Sequence, residues 1–399
     1  MAPVSGRSGD RLDRLWSEDQ SRWRDPAHAL TVWDGGRLDP VLLSCRAAGQ
    51  WWDVIDRLKM TLLVTREYEH LLLAASTLEG RPRLTYLPLP HPSGLAIDRE
   101  RRTVAVASTR NPNQIFQLSP VTTTLPRADR TPPRLTDRPL VPIRSTIHPG
   151  AMYIHDLAYI GGRLHANSVG QNAVVALDDA GGDTLVWWPR CAERRGRPLI
   201  ARNHLQLNSI AAGATLEESF FTASTDRITA RRPGHLNFPV DRRGVLFSGA
   251  TREPVVRGLT RPHSARLHRG AAWIDDSGYG RLVVTRSGSL DTVAELPGWT
   301  RGLCITGGIA FVGTSRVIPR FSHYAPGLKP ERSRCAVHAV DLDSGRVLGS
   351  LTWPSGNQIF AIDWIPRGWS AGLPFHRGAH ARAADIFYTF GAPRRTHRT

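Results

Sequence analysis

Six segments of this chain repeat one pattern: an apolar strand, a turn, a second apolar strand and a closing serine. They read LLVTREYEHLLLAAS (62–76), GLAIDRERRTVAVAS (94–108), HDLAYIGGRLHANS (155–168), SIAAGATLEESFFTAS (209–224), HSARLHRGAAWIDDS (263–277) and RGLCITGGIAFVGTS (301–315). The first residue and the serine stand 13 to 15 residues apart in every unit. Such a unit cannot bury both faces of a small sheet alone, so the units must stack around an axis or along a line. The serines are separated by 32, 60, 56, 53 and 38 residues, too far and too unevenly for a solenoid. Four-stranded blades with variable outer loops fit those intervals. The expected fold is all-β, a β-propeller over residues 45–392. Seven blades is the preferred count and six the alternative, with a degenerate last unit starting at Phe360-Ala361-Ile362-Asp363-Trp364 and returning at Ile386-Phe387-Tyr388.

The flanks read differently. Residues 1–44 form a leading segment, in which Leu12, Leu15, Trp16 and Trp23 share one helical face that ends before Pro26. A short helix packing on the propeller is expected there, and residues 393–399 read as a basic tail. Residues 120–145 contain six prolines and read as an extended connection; 190–202 and 227–243 read as Arg-rich loops, and 366–383 as an insertion. Trp51-Trp52 and Trp187-Trp188 are read as packing residues, and His165 and His268 as structural.

A net charge of +17 in 399 residues raises the question of nucleic acid, but only Lys59 and Lys329 of the 52 basic residues are lysine, and the arginines are dispersed. No helix-turn-helix, zinc-finger or RNP-type pattern accompanies them. The charge therefore implies salt-sensitive attraction to anions and not specific recognition of nucleic acid. Cys45, Cys191, Cys304 and Cys335 lie far apart with no CxxC pair, as expected of reduced thiols. No apolar run is long enough for a membrane span, and the first 25 residues lack the apolar core of a secretory signal. A cytoplasmic protein without a membrane partner is expected.

The innermost strand of each blade borders the central channel, so the residues starting those strands ring one mouth. The repeat places there Ser93, His155 with Asp156, Gln206 and Asn208, His263 with Ser264, Thr300 with Arg301, and Gln358. Strand alternation adds His204 to the face of Gln206 and Asn208. Three chemistries fit such a ring. Arg301 can fork a carboxylate or phosphate while His155 and His263 act as acid and base, with Asp156, Gln206, Asn208, Ser264, Thr300 and Gln358 orienting a polar ligand. Alternatively His155, His204 and His263 ligate a divalent transition metal, with Asp156 fixing a tautomer. Or the polar groups satisfy backbone atoms where blades meet. His263 and Ser264 are neighbours on one strand and point to opposite faces, so they do not form a nucleophile–base dyad.

Several stretches together resemble the motifs of an uncharacterised bacterial family, a domain of unknown function. They are Trp23-Arg24-Asp25-Pro26, Ile154-His155-Asp156-Leu157-Ala158, Leu207-Asn208-Ser209-Ile210-Ala211, Pro262-His263-Ser264-Ala265-Arg266 and Pro297-Gly298-Trp299-Thr300-Arg301-Gly302-Leu303. The resemblance implies the propeller fold and the site positions, and carries no activity. Against the family pattern, Gln206 stands for a histidine, Gln358 for a glutamate and Ala361 for an aspartate. Three histidines and a glutamate would make a metal shell; two neutral amides in their place weaken it. The combined expectation is a pocket at the channel mouth that binds and transforms a small polar or anionic metabolite by histidine acid/base chemistry of lyase, isomerase or hydrolase type, in a natural-product pathway. The alternatives are an interaction scaffold for a protein or polyanion, and a histidine-ligated metalloenzyme.

Overall fold

The computed structural model describes residues 38–110, 113–122, 135–148, 150–286 and 288–376. Apolar runs such as Leu62-Leu63-Val64 and Val104-Ala105-Val106 form fully buried strands, and Gly, Asp or Arg turns reverse the chain between them. Six antiparallel sheets of four or five strands result, arranged as the blades of a propeller. Blade 2 is Pro92–Asp98, Thr103–Ser108, Asn113–Pro120 and Leu140–His148. Blade 3 is Ile154–Ile160, Arg163–Ser168, Ala173–Leu177 and Asp183–Trp187. Blade 4 is Leu207–Ala211, Phe220–Ala223, Gly244–Ser248 and Pro254–Leu259. Blade 5 is Pro262–His268, Ala271–Asp276, Arg281–Arg286 and Ser289–Glu295.

The remaining two blades close the ring and account for the count. Blade 6 holds Trp299–Thr306, Ile309–Ser315, Cys335–Asp341 and Val347–Trp353, and Arg46–Gly49 pairs with its outer edge. Blade 1 takes its innermost strand, Ile362–Pro366, from the far end of the chain; this strand pairs with Met60–Arg66, followed by Leu71–Leu78, Arg81–Pro88 and an outer strip, Phe375–His376. The segment at Phe360 to Trp364 and the unit 62–76 are thus parts of one blade. Counting them separately produced seven; the number is six. The strand proposed at Ile386-Phe387-Tyr388, the helix over Asp10 to Trp23 and the Trp23-Arg24-Asp25-Pro26 motif lie outside the described residues. A helix that periodicity did not reveal, α1 (Trp51–Arg57), buries Trp51 edge-on against Phe311, with ring centroids 5.8 Å apart. Part of the proline-rich connection is also a strand, Leu140–His148, at the exposed edge of blade 2, where a proline missing its N–H is tolerated.

The six innermost strands line the axis at close range. A Cβ on Gly94 of blade 2 would lie 2.7 Å from Asp156 Cα of blade 3, so only glycine permits this approach. Adjacent blades are then stitched by buried side chains. Thr65 Oγ1 donates to Ser93 O at 2.7 Å, Ser93 Oγ to Ile154 O at 3.0 Å, Asn167 Nδ2 to Leu207 O at 2.7 Å and Ser277 Oγ to Thr300 O at 2.6 Å. Across the closing seam, Ser315 Oγ donates to Ile359 O at 3.1 Å and accepts from Ile359 N at 3.0 Å. In blades 5 and 6 the repeat serines, Ser277 and Ser315, are therefore inter-blade stitches. Ser315→Ala would strand two buried backbone groups and is expected to cost about 1–3 kcal/mol in urea unfolding. The exposed Ser344→Ala should stay within about 0.5 kcal/mol.

Candidate functional site

In five blades the innermost strand carries a bulge near its start, where pairing with the second strand slips at Pro92/Leu95, Ile154/Leu157, Leu207/Ser209, His263/Arg266 and Thr300/Leu303. The residues beside each bulge divide their work. His155 faces a cavity at the channel mouth, whereas Asp156 turns to the neighbouring blades, accepting from Ile210 N at 3.0 Å and from Arg266 Nη1 at 2.9 Å. His263 faces the cavity, and Ser264 Oγ accepts from Gly302 N at 2.7 Å. Arg301 faces the cavity, while Thr300 Oγ1 donates to Arg281 O at 3.3 Å. Asn208 Nδ2 donates to Pro262 O at 2.9 Å, and its side chain also approaches the His155 ring.

Five of the expected residues thus line one cavity of about 480 Å³: His155, Gln206, His263, Arg301 and Gln358. Asp156, Ser264 and Thr300 instead hold blades together. His204 is half-buried and does not line the cavity. Strand alternation misplaced it because the strand begins only at Leu207, after Gln206 has turned the chain at φ 49°. Among the described residues no group of three or more His, Cys, Asp and Glu side chains is placed to hold a metal ion.

Other lining residues escaped the repeat analysis. Connections from second to third strand reach the same mouth as the strand starts, and they supply Glu67, Thr109, Arg110, Arg316, Phe321 and Tyr324. Glu67 was hidden by a one-strand phase error, since the unit 62–76 contains the second and third strands of blade 1 and its turn lies at the cavity. The signal was present: Arg66-Glu67-Tyr68-Glu69-His70 is a polar turn buried from end to end. Arg66 and Glu69, 3.5 Å apart, brace the connector that delivers Gln358, Arg66 Nη2 donating to Ser355 O at 3.1 Å and Glu69 Oε1 accepting from Asn357 N at 2.5 Å.

The electrostatics are one-sided. Four guanidiniums, Arg110, Arg261, Arg301 and Arg316, line the cavity with one carboxylate, Glu67. Burial pushes the Glu67 carboxyl up, but Arg110 at 3.2 Å, His91 and Arg301 outweigh it and hold it at about 2. The Gln358 amide joins the two sides, its nitrogen donating to Glu67 Oε2 at 2.9 Å and its oxygen accepting from Arg301 Nη1 at 3.1 Å. The Arg301 guanidinium lies 3.3 Å over the Phe360 ring, and burial draws it down to about 10, still charged at neutral pH.

Both histidines are held neutral, first by burial and then by the Arg301 charge, which carries them well below the ordinary 6.5. His263 Nδ1 lies 2.8 Å from Arg261 O and 2.9 Å from Ser277 Oγ. A carbonyl only accepts, so Nδ1 carries the proton and the Nε2 lone pair is free. The His155 ring lies between Tyr153, tilted by 40°, and Phe360, edge-on at 88°, with each centroid 5.5 Å away. Six lining side chains leave a buried polar atom without a hydrogen-bond partner: Thr109 Oγ1, Arg110 Nε, His155 Nδ1, Arg261 Nε, Arg301 Nη2 and Asn357 Oδ1. Native interiors satisfy almost all such atoms, and these lie together around one cavity.

A six-bladed β-propeller with a cationic, aromatic-walled cavity at one channel mouth is the class of protein defined by this geometry. The chain belongs to the DUF4915 family, a domain of unknown function whose profile matches residues 49–371. No curated protein matches it by sequence. Among solved structures it is similar to a chain of the nidogen/laminin complex, 10% identical, covering 76% of this chain and 98% of that one with a TM-score of 0.52. It is also similar to a gluconolactonase from Xanthomonas campestris, 13% identical, with 74% and 86% covered and a TM-score of 0.42. A third is streptogramin B lyase, 13% identical, with 63% and 72% covered and a TM-score of 0.37. At these identities the likeness shows the fold alone. No helix among the described residues is long and apolar enough to cross a membrane.

Proposed function

We propose that the cavity binds a small organic anion with an apolar or aromatic body and transforms it by proton transfer, in a reaction of lyase, isomerase or hydrolase type. The observation that carries this reading is Arg301, a buried guanidinium with Nη2 lacking any acceptor, in the same cavity as two neutral imidazoles. A ligand oxygen supplies the missing acceptor, and burial makes that charge-assisted bond stronger than it would be in water. Phe360, Trp299 and Tyr153 receive the apolar body. The Nε2 of His263 is the base, since its tautomer is set by Arg261 O and its lone pair is available. Arg301 then neutralises negative charge that develops beside the anionic group as the proton leaves. His155, also neutral, returns or relays the proton.

The test is a panel of small aromatic carboxylates and their uncharged amides. The carboxylates are expected to raise the melting temperature in proportion to the logarithm of concentration, and the amides to leave it unchanged. Equal stabilisation by both would remove the anion from the account. Once a substrate is found, the pH profile follows from the histidine. A base that must be unprotonated and has a depressed pKa keeps working as pH falls through 6.5, so the acid limb of kcat/KM should lie below that value. An acid limb above pH 6.5 would exclude His263 as the base.

A further inference from the structure

Arg301 is not alone in having no carboxylate within ion-pair distance among the described residues. Arg261, 2% exposed, lines the same cavity, and its guanidinium lies 3.8 Å over the Tyr324 ring. Its Nη2 donates to Pro233 O at 3.0 Å, and its Nη1 bonds to Gln206 Oε1 and to Ser224 Oγ, the latter at 3.3 Å. All three acceptors are neutral, and Nε has none. Among the described residues neither Arg261 nor Arg301 has a carboxylate within ion-pair distance, because Glu67, the one acid in the cavity, is taken by Arg110. The Arg301 charge is close enough to lower the proton affinity of Arg261. Two like charges buried together without an anion are costly, and one bridging anion offsets both.

The backbone adds an independent sign. Arg261 sits at φ 54°, in the left-handed region that glycine enters freely and a side chain enters at a cost of about 1–2 kcal/mol. Gln206 at φ 49° and Tyr153 at φ 57° stand in the same position, two residues ahead of Asn208 and His155 as Arg261 stands two ahead of His263. Arg261, Gln206 and Tyr153 all reach the cavity, whereas His91, at φ 42° in the same position ahead of Ser93, lies 3.7 Å from Glu67.

We infer that the ligand carries two negative charges, as a dicarboxylate or a phosphate monoester does, and that it bridges Arg301 and Arg261. Arg261 is then the residue that selects dianions over monoanions. This rests on the anion-binding reading of the cavity and narrows it.

The experiment is calorimetric titration of the full-length protein with phthalate against benzoate, and with phenyl phosphate against its singly charged methyl ester. Wild-type protein is expected to bind at least one dianion ten times or more tightly than its monoanion partner. In Arg261→Gln that ratio should fall towards one. Phthalate alone showing the preference assigns a dicarboxylate, and phenyl phosphate alone a phosphate ester. Equal wild-type affinities for dianion and monoanion, both lost in Arg301→Met, would overturn the bridging inference and keep the anion site. No binding of any of the four would overturn both. The wild-type ratio needs no variant, so a poorly folded Arg261→Gln cannot rescue or sink the result.

Discussion

Arg301→Met should cost a bound anion about 2–5 kcal/mol, roughly thirtyfold to several thousandfold in Kd, while leaving the ligand-free protein as stable as before or more so. The two halves of this result come from the same fact. Arg301 is 8% exposed, has no carboxylate within ion-pair distance among the described residues, and leaves Nη2 without an acceptor. A methionine of similar length keeps the contact with Phe360 and removes a buried charge, a replacement that is often neutral or stabilising. Glu67 is not orphaned by the change, since Arg110 remains 3.2 Å away. Calorimetric titration with the best-binding anion reads the first half and a thermal melt without anion reads the second. A sharp fall in melting temperature with undiminished affinity would make Arg301 a structural strut.

Asp156→Ala should do the reverse, destabilising the propeller by about 3–5 kcal/mol with anion affinity unaltered. The Asp156 carboxylate joins three blades. It accepts from Leu157 N at 3.1 Å in its own blade, from Ile210 N at 3.0 Å in blade 4, and from Arg266 Nη1 at 2.9 Å in blade 5. Removing it leaves the Arg266 charge without this partner and Ile210 N–H with no acceptor. Arg266 is one-fifth exposed, and water reaching it places the effect towards the lower end of that range. Urea unfolding should show a lower midpoint with an unchanged slope. A change of less than about 1 kcal/mol, or a weakened anion affinity, would put Asp156 in the cavity after all.

The contrast between Arg301 and Asp156 shows what could be read from the chain. Their recurrence at one place in successive units was visible, because a propeller repeats the start of its innermost strand. Which neighbour faces the cavity was not, because a bulge of one residue reverses the side to which each side chain points, and bulges leave no apolar alternation to read. Hence the side chains of His155, His263, Arg301, Gln206 and Gln358 line the cavity, whereas those of Asp156, Ser264 and Thr300 bond to neighbouring blades. His204 failed for a related reason, since the turn at Gln206 ends the regular strand before reaching it. The blade count failed at the seam. Ile362–Pro366 belongs with Met60–Arg66 almost three hundred residues earlier, a pairing that no local pattern encodes. The same seam hid Glu67, whose turn joins the second and third strands of blade 1, not the first and second. Arg261 was invisible for a different reason, since a lone arginine among fifty gives no sequence signal, whereas its burial and left-handed backbone do.

The most direct measurement is a crystal structure of the protein with the anion that raises its melting temperature most. The account predicts density for the anion inside the cavity, with an oxygen on the Arg301 guanidinium and the ligand body against Phe360, within reach of His263 Nε2. An anion held instead on the arginine-rich loops at 190–202 or 227–243, with the cavity holding only water, would contradict it and favour a surface that attracts polyanions.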